Sequence, residues 1–161
     1  MRPGQSLKQL MQNLPQTGRV EWIGVRGQKR QPLSEQQSVY ANAGSGLEGD
    51  HYTGRSGKRE VTLIQAEHIT AIASLLHRDS IDPQLLRRNL VISGINLLAL
   101  KGKLFRVGEA QLEMTGLCHP CSRMEDNLGP GGYNAMRGHG GINARIVQSG
   151  LIRLGDAVRA E

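Results

Sequence analysis

Glycine interrupts this chain so often that no apolar run grows long, and that feature removes most architectures at once. With 21 glycines in 161 residues, the chain is divided into short segments separated by sites where tight turns are easily made. Several of those segments carry β-type residues with period-two alternation. "RVEWIGVRG" alternates, "SVYANA" is a shorter candidate, and "EVTLIQ" is a clear strand. "NLVISG" is a strand closed by glycine. "KLFRVG" and "AQLEMTG" alternate on either side of Gly108 and Glu109, which reads as a hairpin. "INARIVQSGLIRLGDAVRA" reads as two or three short strands around Gly150 and Gly155. Many short strands, frequent turns and few helices predict a mainly β fold, a barrel or sandwich with a few peripheral α-helices.

The helices are equally legible. "SLKQLMQNL" has Leu7, Leu10, Met11 and Leu14 at helical spacing, with Ser6 as cap and Pro15 as stop, and is expected to pack one face on the core. "AEHITAIASLLH" places Ala66, Ile69, Ala73 and Leu76 on one face. "DPQLLRRN" offers a short helix with Asp82 as cap and Pro83 in the first turn. "GSGLEGDHYTGRSGKR" and "NLGPGGYNAMRGHGG" read as glycine-rich loops. No internal repeat or linker appears. The organisation expected is a helical segment over residues 1–18 followed by one domain over 19–161.

Charge and composition narrow the function. The formal net charge is +6 and the pI about 9.8, but the basic residues are scattered rather than collected in a run, so a basic tail is not expected. Aromatic residues are scarce, which does not suit a nucleic-acid stacking surface. Scattered arginines fit a pocket for a phosphate-bearing ligand at least as well as a duplex-binding face. The start of the sequence has no long apolar stretch of a secretion signal and no window approaches a membrane span, so the expectation is a cytoplasmic protein with no membrane and no nucleic-acid partner.

The two cysteines, Cys118 and Cys121 in "GLCHPCSRM", carry most of what the sequence says about chemistry. In a cytosolic chain they point to reactivity rather than to a staple. A structural zinc site needs four ligands, and only one pair is present; His51 and His139 lack partners at ligand spacing. A C-x-P-C dithiol resembles thioredoxin-like redox motifs, and "SRMEDNL" supplies a helix to follow it. Its position late in the chain, after several strands, departs from the early βαβ unit that such motifs occupy. A third reading is one thiolate presented to a pocket, with glycine-rich loops bringing backbone N–H groups and arginines near an anion. The remaining alternative is a pair of small buried hydrophobes.

The order of segments resembles the MOSC domain, named for the C-terminal domain of molybdenum cofactor sulfurase, in its small stand-alone bacterial form. The matching pieces are "GLEGDHYTG", "REVTLIQAEHI", "LLRRNLVISGINLLAL", "LFRVGEAQLEMTGLCHPCSRM" and "GGINARIVQSGLIRLGDAV", covering roughly residues 19 to 159. The resemblance implies a MOSC-like β-barrel with a cleft for molybdenum cofactor, a molybdenum–pterin, and a cysteine thiolate on the metal. Cys121 is the matched position, although helix position alone favours Cys118 as the earlier and more exposed thiol. Cys118 and His119 are its neighbours in the catalytic segment. Further matched positions are Gly49, Asp50, Gly54 and Asn89. Gly49-Asp50-His51-Tyr52 stands where related proteins have "GDRH", so no role carries over to His51 or Tyr52. Asp50 has an Asx-turn as its structural alternative, and Asn89 has bracing of its strand. Arg123, Arg137 and Arg145 are candidate phosphate anchors, the alternative for each being a solvated surface arginine. His139 and Asn143, in the second glycine-rich loop, complete the candidate cofactor site. The activity implied is reduction of N-hydroxylated bases or amines, or handling of cofactor or sulfur. A non-catalytic cofactor carrier and a C-x-x-C thiol redox protein are the alternatives. A reductase would need a redox partner protein, since no flavin, haem or nicotinamide motif is present.

Overall fold

The computed structural model describes residues 4–52 and 56–161. Strand β1 (Gly18–Val25), the short β2 (Ser34–Glu35), β3 (Ser38–Asn42) and the short β4 (Gly46–Leu47) follow helix α1 (Leu7–Gln12). Next come β5 (Val61–Gln65), helix α2 (Ala66–Leu75), a single 3-10 turn at Pro83–Leu86, and β6 (Leu90–Ser93). A second 3-10 turn, Leu97–Leu100, leads to the hairpin of β7 (Leu104–Val107) and β8 (Ala110–Leu117). Helices α3 (Ser122–Leu128) and α4 (Gly132–Met136) precede the closing strands β9 (Ile142–Gln148), β10 (Gly150–Arg153) and β11 (Ala157–Ala160).

Seven strands close into a barrel in the order β11-β7-β8-β9-β5-β6-β1, the ring being completed where β1 pairs antiparallel with β11. Closure removes the sheet's free edges. Among the described residues only β5 and β6 run parallel, and their connection carries α2 across the barrel's outer surface, as a parallel pair requires. Strands β3, β4 and β10 form a separate three-stranded sheet. Among the described residues no helix is long and apolar enough to cross a membrane.

Strand alternation divides the core in two. Val20 and Ile23 of β1, Val61 and Leu63 of β5, and Leu90 and Ile92 of β6 point into the barrel, where they meet Phe105, Leu112 and Ile146. Trp22, Ile64 and Val91 of the same strands point outward and are covered by Ile69 and Ile72 of α2, Met124 and Leu128 of α3, and Met136 of α4. This two-sided burial is why β5 carries Leu63 and Ile64 side by side, both fully buried, on opposite faces of the strand.

Three expectations change. Helix α1 is capped by Ser6 and Gln9 as a capping box, but Leu7 and Met11 are exposed and only Leu14, beyond its end, packs on the barrel. Its core-facing role is therefore absent: a helix this short has room for little more than its cap interactions. The segment "NLGPGGYNAMRGHGG" is not all loop, since α4 occupies its middle. The Glu125 carboxylate of α3 accepts N–H groups of Gly131 and Tyr133, which caps α4 from outside, and these bonds hold that carboxyl below its ordinary value. Asn143 lies in β9, not in the loop.

Candidate functional site

The two cysteines sit where β8 ends and α3 begins, and their exposures are opposite. Cys118 is buried at 2 % and Cys121 is exposed. The expectation that Cys118 is the more accessible thiol is overturned: its N–H donates to the Gly141 carbonyl at 2.9 Å, continuing the β8–β9 pairing past Leu117 and holding it in the wall. Cys121 is the N-cap residue of α3, and its side chain makes no capping bond.

Arg88 fixes this segment from beneath. Its buried guanidinium donates to the carbonyls of Gly140 at 2.8 Å, Leu86 at 3.0 Å, Cys118 at 3.2 Å and His119 at 3.4 Å. Burial lowers its ordinary pKa and Arg59 acts in the same direction, whereas the cysteines act against both. The close packing around these carbonyls explains the glycines beside them. A Cβ on Gly140 would stand 2.1 Å from the Cys118 carbonyl oxygen, and one on Gly141, at φ +90°, 2.0 Å from that of Leu63.

Two cavities flank the segment. One is a basic cleft of about 350 Å³, lined by Arg26, Lys29, Arg59, Arg87 and His51, with Asp50 as its one carboxylate among the described residues. Arg87 adopts a left-handed backbone (φ 59°), and its Nη2 is buried without a hydrogen-bond partner. The second cavity, about 180 Å³, is lined by Leu97, Leu98, Leu117, Ile142, Gln65 and His68, together with Cys118, His119 and Pro120. The two approach each other at Cys118, whose Sγ is 3.9 Å from Arg59 Nη2.

Asp50 and Asn89 both line the basic cleft. Asp50 makes a long-range contact, accepting the Arg26 N–H at 3.0 Å. Asn89 braces three strands: its Oδ1 accepts from the Thr62 N–H and hydroxyl, and its Nδ2 donates to the Gly24 carbonyl. Gly49 takes a positive φ of 83° just before Asp50, and Gly54 lies outside the described residues. Burial pushes the Asp50 carboxyl above its ordinary value, against the Arg26 amide, Asn89, and the charges of Arg26 and His51. A folded pKa above the unfolded one means that stability falls as pH rises through that range and is regained on acidification. Asp50→Asn is therefore expected to melt above the wild type at pH 7, the difference closing as pH falls toward the ordinary value of 3.8. Melting curves across that range check it, and a variant that melts lower at pH 7 would mean that the lost carboxylate bonds outweigh the burial cost.

The remaining candidate residues are dispersed. Arg123 is half-buried on α3, and Arg137 is exposed after α4, its guanidinium on Asn134 Oδ1 at 3.4 Å. Arg145 is exposed on β9 and paired with Glu113 of β8. None of these three lines the basic cleft; Arg26, Lys29, Arg59 and Arg87 line it instead. Their signal in the sequence was weak: Arg59 and Arg87 flank strand starts, and Arg26 follows a strand end. His139 holds the Ala135 carbonyl at its Nδ1 and meets His68 edge-on, with ring centroids 5.2 Å apart. Asn143 donates to the Leu117 carbonyl, and its Oδ1 is buried and unpaired. Among the described residues no three His, Cys, Asp or Glu side chains gather as a metal-binding group.

The sequence model of the MOSC domain family matches residues 42–159. No curated protein matches the sequence. Among solved structures, the fold is similar to YuaD from Bacillus subtilis, with TM-score 0.75 and 19% identity over 88% of this chain and 94% of that one. It is also similar to YiiM from Escherichia coli, with TM-score 0.68 and 18% identity over 89% of this chain and 69% of that one. YiiM from Geobacillus stearothermophilus gives 0.71 and 16% over 89% and 75% of the two chains.

Proposed function

The chain belongs to the MOSC domain family, and from that premise we propose that it binds molybdenum cofactor, with Cys121 as the thiolate ligand and the basic cleft taking the anionic end of the pterin. The observation that carries the reading is an exposed thiol on a rigidly held segment that runs beside a cleft of four cationic side chains and one carboxylate. The donor set suits the group. A soft thiolate matches a metal already held by sulfur, and the buried, unpaired Arg87 Nη2 is a donor waiting for an anion.

When bound, the cofactor supplies a two-electron centre able to take an oxygen atom from an N-hydroxylated base or amine. The chain's own part is to hold and orient. Arg88 keeps the cysteine segment in place, Asn89 ties the cleft floor to β1 and β5, and Arg26, Lys29, Arg59 and Arg87 neutralise phosphate charge. Electrons for turnover come from a separate redox partner protein. A second reading, a carrier that hands cofactor on without turnover, is favoured by the position of Cys121 at the surface, outside the lining of both cavities.

Metal and pterin analysis of protein made in a cofactor-producing host tests the reading. The expected result is stoichiometric molybdenum, with retention weakened by salt because the cleft is open to solvent. Metal-free protein that also takes up no cofactor on reconstitution would defeat it. Repeated turnover of an N-hydroxylated base with a supplied electron donor separates the enzyme from the carrier, which would give transfer alone.

A further inference from the structure

A single metal ligand needs one thiol, yet the cysteine segment carries two, separated by His119 and Pro120. Both are free and their exposures are opposite. Cys121 is the accessible one, at the start of α3, with no capping bond to hold its side chain. Cys118 is buried in the barrel wall, its Sγ 3.9 Å from Arg59 Nη2. Cofactor binding through Cys121 leaves Cys118 as a buried nucleophile with no task.

The backbone between the two sulfurs is lightly held. The Cys118 N–H is fixed to the Gly141 carbonyl, and the Cys121 carbonyl accepts the Met124 N–H as α3 begins. Beyond the Cys118 carbonyl and before that helix, one bond to the backbone is present among the described residues. It is the donation of Arg88 to the His119 carbonyl at 3.4 Å, the longest of that guanidinium's four. Three peptide units span at most about 10 Å, and a disulfide takes α-carbons about 4.4–6.8 Å apart, so closure asks only for a turn at His119–Pro120. The second cavity, about 180 Å³, opens onto Cys118, His119 and Pro120 and leaves space for that turn beside the buried sulfur.

We propose that Cys118 and Cys121 form a peroxide-sensitive dithiol, in which Cys121 is the thiol oxidised and Cys118 the thiol that resolves it. The Cys121 thiolate attacks a hydroperoxide and the O–O bond breaks. One oxygen stays on sulfur as the sulfenic acid, and the other leaves with a proton as an alcohol, or as water from hydrogen peroxide. The Cys118 thiolate then attacks the Cys121 sulfur, the S–O bond breaks, and the departing hydroxide takes up a proton to become water. The two thiols are oxidised by two electrons and the hydroperoxide is reduced by two. Arg59 is a donor to the negative charge on the attacking sulfur. A dithiol reductant reverses the closure. One consequence rests on the reading of Cys121 as the metal ligand: the disulfide withdraws that thiolate, so an oxidised chain refuses cofactor until it is reduced. Closure also spares Cys121 from the sulfinic state, which thiols do not reverse.

The full chain, from a host grown without molybdate, is treated with hydrogen peroxide and read by intact mass and by iodoacetamide labelling in urea. The wild type is expected to lose two hydrogens and both labelling sites, and to recover them with dithiothreitol. Cys118→Ala should instead gain two or three oxygens at Cys121, with the thiol recovered by dithiothreitol about tenfold or more below the wild type. Reconstitution with molybdenum cofactor should fall by about tenfold in the oxidised wild type and return on reduction. Oxygen gain at Cys121 of the wild type with Cys118 left as a thiol would overturn the proposal, whatever the variant does. A disulfide that joins two chains, or equal recovery in the wild type and Cys118→Ala, would overturn it as well. Cofactor uptake unchanged by a disulfide confirmed by mass would overturn the control of binding. Reversible closure in a chain that takes up no cofactor in either state would defeat the cofactor reading alone and uphold the dithiol.

Discussion

Arg88→Met is expected to lower stability by about 4 kcal/mol or more and to release bound molybdenum, although Arg88 reaches neither the surface nor the reacting atoms. The variant removes the donor for four buried or half-buried carbonyls, those of Leu86, Gly140, Cys118 and His119. An unsatisfied buried acceptor costs ~1–3 kcal/mol, and even with some of them reached by water the sum is large for a domain whose whole stability is about 5–15 kcal/mol. No carboxylate pairs with Arg88 among the described residues, so its loss strands no opposite charge; the cost comes from the carbonyls. Arg88→Lys should recover only part, because one ammonium cannot reproduce a fork that spans three chain segments. Urea unfolding gives the stability and metal analysis the content. A Met variant within about 1 kcal/mol of the wild type would show that the segment does not depend on this side chain.

That prediction could not have been made from the sequence, where Arg87 and Arg88 are simply two adjacent arginines. The left-handed backbone at Arg87 separates them, sending one guanidinium to the basic cleft and the other beneath the cysteines. Local patterns were readable where local forces decide. The β7–β8 hairpin follows from its alternation and from Gly108, and β5 from its β-type residues Val61, Thr62 and Ile64. Barrel closure was legible only as a class, since β1 and β11 pair across nearly the whole chain and neither segment names the other. Helix α4 was hidden because glycine-rich sequence has poor helix propensity; its cap comes from Glu125 on another helix, and Ala135 and Met136 are buried in the outer core. The same limit applied to the site. The cysteine motif and Asn89 stand out as residue types, but the cationic lining of the cleft is assembled from the segment after β1, the approach to β5 and the turn before β6, with no common motif to mark it.

The two cysteines should separate more sharply than any other pair of variants. Cys121→Ala is expected to abolish molybdenum retention while changing stability by no more than about 0.5 kcal/mol, because the thiol is exposed and makes no capping bond to lose. Cys118→Ala should do the reverse. Its sulfur is buried between the second cavity and Arg59, so truncation leaves a small void worth about 1 kcal/mol, and the ligand thiol stays in place. The backbone bond from Cys118 to Gly141 survives either change. Thiol labelling gives an independent check, since an alkylating reagent should modify Cys121 well before Cys118 in the folded protein. Metal content of the two variants, prepared alike and compared by circular dichroism, decides the assignment. Equal loss in both would mean a dithiol site, and greater loss from Cys118→Ala would mean that the buried thiol is the ligand and that the segment must open to bind metal.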